Sequence, residues 1–142
     1  MTKPQDYTVK QFIQEIRAIV EANPEKVNAF AEAANGVPGA CVYENQQGDH
    51  CIIGEFLSSI DLLDSLPWSG FEDDNGMKEC ISLDPDVDEQ YPYGLRVTNA
   101  YGVLLFAGFN REICDIASKV QNIADKQVPW KTLLDMPEFS GN

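Results

Sequence analysis

The run His50-Cys51-Ile52-Ile53-Gly54 is where the chain sets a nucleophile beside a base. A thiol at the foot of a helix gains acidity from the positive end of the helix dipole. An imidazole is the usual group that takes its proton. The spacing works against that chemistry, because neighbours on a strand point to opposite faces. Cys51 is expected to face the core with Ile53, and His50 to face water with Ile52. A buried structural thiol is therefore the reading taken forward. A cysteine-dependent enzyme using Cys51 is the alternative, and no residue is assigned as catalytic.

The other cysteines are Cys41, Cys80 and Cys114, and His50 is the single histidine. No C-x-x-C pair occurs, so no metal site and no cofactor are expected. A disulfide between Cys41 and Cys51 depends on the turn. Centred near 47 and 48, the turn holds the thiols several residues apart. Centred on Gln46, it brings them together. Phosphate loops, G-x-S-x-G and H-E-x-x-H are absent.

Binding chemistry is better supplied. Arg96, Arg111, Lys119 and Lys131 are the scarce cations of the C-terminal half. Arg111 follows the cap residue Asn110, so a guanidinium and a helix N-terminus stand side by side, a pairing that suits an anion. Against that, an arginine in so acidic a chain finds a surface carboxylate easily. Trp68, between Pro67 and Ser69, is expected to be partly exposed. The candidate ligand-binding residues are Arg96, Arg111, Tyr43, His50 and Trp68.

Ten basic and 23 acidic side chains give the 142-residue chain a formal charge of -13. A field of that sign repels nucleic-acid phosphates and anionic membranes. It suits a basic protein partner. No run reaches the roughly 18 apolar residues of a membrane span. The start, Met1-Thr2-Lys3-Pro4, lacks the blocks of a signal peptide. The expected location is a bacterial host cytoplasm.

The elements that must position these residues read as one α+β domain over 1–142, mostly helical, with a short β-hairpin packed among about five helices. Residues 8–35 form a helical hairpin. Thr8 and Gln11 make a capping box, and Val9, Phe12, Ile13, Ile16 and Val20 form one face. Asn23-Pro24 starts the second helix, and Asn35-Gly36 stops it. Residues 41–63 hold a β-hairpin, Cys41–Glu44 with His50–Ile53, closed by Gly54 and followed by a helix. Residues 64–93 carry nine acids against Lys78 and read as a loop-rich insert. Glu79–Leu83 and Leu95-Arg96-Val97 pair as short strands. Tyr101–Phe106 fits a buried strand or a buried helix equally. Over 95–136, Asn110 caps a helix with Ile113, Ile116, Ala117, Val120, Ile123 and Ala124 inward, and Pro129 starts a last short helix led by Trp130.

Two of these stretches carry a resemblance. Cys41-Val42-Tyr43, then Cys51-Ile52-Ile53-Gly54 running into Glu55-Phe56-Leu57, resembles a motif of small proteins of actinobacteria and their phages. Val120–Ala124, followed by a polar turn and Pro129-Trp130, resembles the ending of the same group. The chain differs in having Glu55 where a histidine is frequent, and in its acidic insert. The resemblance implies a phage or bacterial accessory protein. The expected function is non-enzymatic: antagonism of a host system, such as immunity, by binding. The chain would cover a basic host-protein surface or sequester a small anionic, nucleotide-like ligand, in the second case as a homodimer. A structural subunit of a larger assembly is a further alternative.

Overall fold

The structure is a computed structural model. It describes residues 3–28, 43–44, 48–66, 68–69, 80–83, 95–97 and 99–139, the strand residues among them by backbone alone. Helix α1 is Val9–Ala22. Its capping box forms as the sequence dictates: the Gln11 amide donates to Thr8 Oγ1, and the Thr8 amide donates to Gln11 Oε1. Phe12, Ile16 and Val20 are its buried stripe, while Val9 and Ile13 pack at the margin.

The expected second helix does not begin at Pro24. Asn23 closes α1, and residues 24–28 make a turn and an extended stretch. The remainder of that expected helix lies outside the described residues. The turn is held by tertiary bonds in place of helical ones: the Trp130 amide donates to Lys26 O, and the Lys131 amide to Pro24 O. The Lys26 ammonium lies 5.4 Å from the centre of the Trp130 ring, within cation–π range.

The expected hairpin at 41–53 is also corrected. Within it, the described residues keep one isolated bridge, Glu44 to His50. Ile52 and Ile53 open helix α2, Ile52–Ser59, for which Cys51 is the N-cap. Both isoleucines are fully buried, so Ile52 does not face water. The reason is packing. The first turn of α2 is enclosed at Ile52, Ile53 and Gly54, so no polar residue there reveals the helical period, and two β-branched residues then read as strand. Gly54 lies within α2, not at a hairpin end.

The undecided run at 101–106 is helical. Helix α3, Ala100–Ala107, is capped by Asn99 Oδ1 and ends at Gly108, whose φ of 110° lies in the left-handed region. Helix α4, Arg111–Ala124, is capped by Asn110 and lies against α3, burying Ile113, Cys114, Ile116, Ala117, Val120, Gln121 and Ala124. A 3-10 helix, Trp130–Asp135, then turns Trp130 and Leu133 inward. Tyr7, Phe12, Phe56 and Phe109 stack at ring separations of 4.9 to 6.2 Å at the centre of the core. Each such buried ring contributes about 2–3 kcal/mol of transfer free energy.

The class is thus a mostly helical body rather than a hairpin among helices, and no strand occurs where side chains are described. Backbone pairing lies elsewhere in the chain. Trp68–Ser69, Cys80–Leu83 and Leu95–Val97 run antiparallel in that order, with Ser82 opposite Arg96. Most of the acidic stretch at 64–93 lies outside the described residues. Among the described residues no helix is long and apolar enough to cross a membrane.

Candidate functional site

His50 sits between two carboxylates. Its Nδ1 is 2.7 Å from Glu55 Oε2 and its Nε2 is 2.8 Å from Glu44 Oε2. Both nitrogens donate at once only in the imidazolium form. Glu55 occupies the first turn of α2, where the helix dipole favours an anion. The imidazole therefore ties the Glu44 segment to the start of α2.

Cys51 is fully buried and uncrosslinked, so the bridge to Cys41 does not form. Its Sγ accepts from the Gly54 amide at 3.3 Å, the N-cap contact of α2. Burial pushes its thiol up to about 12, against the lowering contacts from Gly54 and Gln121. The helix end satisfies the sulfur without activating it, because desolvation outweighs the dipole. His50, the adjacent residue, faces the two glutamates. Cys114 is buried as well, and desolvation raises its thiol to about 11.

Next to Cys51 lies a polar network that the sequence did not announce. Asn28 is 1% exposed. Its Oδ1 accepts from the Ile52 amide at 2.9 Å and from Trp130 Nε1 at 3.0 Å. Its Nδ2 donates to Asp125 Oδ1 at 2.8 Å. Gln121, 8% exposed, donates from Nε2 to that same carboxylate oxygen at 3.3 Å. Gln121 Oε1 is buried with no hydrogen-bond partner. Gln121 and Asp125 also line a cavity of 110 Å³ with Tyr43, Asn99, Ser118 and Asn122. The available signal was Gln121 itself, a polar side chain beside Val120 on the stripe that α4 buries.

The candidates whose side chains are described, Tyr43, His50 and Arg111, do not converge. Tyr43 is buried, and its carbonyl lies against Gly54; desolvation raises its phenol, with the Cys51 and Asp125 charges adding to the effect. Arg111 is exposed at the first position of α4, about 15 Å along the helix from Gln121 at 1.5 Å per residue. The side chains of Arg96 and Trp68 lie outside the described residues. Of the other cations, Lys119 pairs with Glu138 and Lys131 with Glu25. Arg17 donates to Phe139 O and lines a groove along α1 with Val9, Lys10, Ile13 and Gln14.

Leu105 and Phe106 were expected inside and are not. At 41% and 44% exposure they stand out from the end of α3. The corner that follows presents Glu112 and Asp115 to solvent on α4. Among the described residues no cluster of three or more His, Cys, Asp or Glu is arranged to hold a metal ion. No protein-family model, no curated protein and no solved structure matches the chain.

Proposed function

We propose that the chain acts by binding, as an accessory protein that covers a basic surface of a host protein and so antagonises it. The observation that carries this reading is the exposed pair Leu105 and Phe106, set on a chain of net charge -13 next to a corner bearing Glu112 and Asp115. An apolar centre with a charged surround is the usual anatomy of an interface. Negative charge steers a basic partner onto it. The buried, high-pKa thiol of Cys51 supports a binder over a thiol enzyme.

The anion-sponge variant has less support. It needs cations to converge, and the corner leading into α2 presents Glu44 and Glu55 around His50 instead. The test compares the wild-type protein with Phe106→Ser as bait for proteins of the host. A partner with a basic surface, retained by the wild type and lost with Phe106→Ser, is the expected result. Equal retention by both baits, or a partner with an acidic surface, contradicts the reading.

A further inference from the structure

Among the described residues, the cavity between α3 and α4 has an acceptor without a donor and a charge without a counter-ion. Gln121 Oε1 is buried and unpartnered in a side chain that lines it. A buried acceptor of this kind is destabilising until a donor reaches it. Asp125 is held in place by two amides on one oxygen, Asn28 Nδ2 and Gln121 Nε2. Among the described residues no cation pairs with it. Asn28 Nδ2 and Gln121 Nε2 are neutral donors, so they fix the position of the carboxylate without supplying a counter-charge.

From this arrangement we propose that the Tyr43–Asn99–Gln121–Asp125 cavity is an anchor site for an arginine side chain of the partner protein, its guanidinium paired with Asp125 and donating to Gln121. The inference rests on the reading of a basic partner and names the group that enters. A planar guanidinium offers five donors in a fixed fork and is less strongly hydrated than an ammonium. It suits a wall with a carboxylate, an amide carbonyl and the polar side chains of Ser118 and Asn122. The volume, 110 Å³, is about that of three or four water molecules, so it admits the head of a side chain and not a nucleotide. The position also fits. Ala100 begins α3 beside the cavity and Phe106 ends its exposed pair, about 9 Å away along the axis at 1.5 Å per residue.

The test uses two probes, N-acetylarginine methylamide and its neutral citrulline counterpart, followed by NMR on the whole protein. Asn122 is exposed at the cavity wall, so Asn122→Lys supplies a cation to Asp125 without disturbing the core. Glu21→Gln makes the same change of charge at an exposed position of α1 that does not line the cavity, and serves as the control. The expected result is saturable binding of the arginine probe at Tyr43, Ser118 and Gln121, about tenfold weaker for citrulline. Asn122→Lys abolishes it and Glu21→Gln leaves it. Equal shifts with both probes, or equal losses in both variants, overturn the anchor site. The parent reading is tested apart, by binding of a polyarginine peptide to the wild type. If that peptide binds and Asn122→Lys weakens it no more than Glu21→Gln, the cavity is wrong and the basic partner stands. If it does not bind, the basic partner itself is wrong.

Discussion

Gly54 of α2 packs against the carbonyl of Tyr43 so closely that a Cβ at position 54 would stand 2.1 Å from that oxygen. The contact explains a glycine in the buried first turn of α2, where alanine is otherwise the better helix former. It also fixes the Tyr43 segment over α2, and so one wall of the cavity.

Gly54→Ala is expected to destabilise the fold by about 2–3 kcal/mol, because the neighbouring atoms are backbone and cannot turn aside. Urea unfolding followed by circular dichroism measures it. An unchanged midpoint contradicts the packing described.

Asn28→Ala removes the one acceptor shared by the Ile52 amide and the Trp130 indole. Two buried donors lose their partner, at a cost of about 2–4 kcal/mol. The indole proton of Trp130 should also exchange faster in hydrogen-exchange NMR. A slow indole in the variant would mean that the network is not what holds the C-terminal turn.

Alkaline sensitivity follows from the buried acids. Burial pushes the Cys51 and Cys114 thiols up from the ordinary 9.0 to about 12 and about 11. Burial raises the Tyr7 and Tyr43 phenols as well. Raised pKa values mean the folded state holds its protons longer, so this stability is complete below pH 9.0. It is lost as pH climbs through the folded values. Urea midpoints should therefore fall as pH rises above 9.0, and a flat or rising profile contradicts the burial of these groups.

Thiol chemistry gives a faster check. Iodoacetamide at neutral pH should leave Cys51 and Cys114 unlabelled in the native protein and label them once urea unfolds it. Peptide mass mapping separates these two from Cys41 and Cys80. Rapid native labelling of Cys51 would move the account toward catalysis.

What the sequence made legible was local. The Thr8–Gln11 box, the Asn110 cap and the inward face of α4 depend on residues within one or two turns of each other, and all three stand. The failures involve distant partners. Pro24 has the signature of a helix start, yet residues 24–28 are claimed by Trp130 and Lys131, more than a hundred positions away. Ile52-Ile53 has the signature of a strand, yet Cys51 caps a helix there and the core encloses it. Leu105 and Phe106 belong to a dense apolar run that looks buried throughout, and only the placement of α3 on α4 shows which end is left outside. The candidate site was the least legible. Asn28, Gln121 and Asp125 meet only through tertiary packing, and none lies in a motif.

The most direct test of the binding account is the affinity of the purified protein for its isolated partner, measured by calorimetry across a salt series. The account predicts a saturable complex that weakens as salt screens the acidic surface, is lost with Phe106→Ser and is unchanged with Cys51→Ala wherever that variant is folded. A complex indifferent to salt and to Phe106→Ser, but abolished by Cys51→Ala in a folded protein, would contradict it.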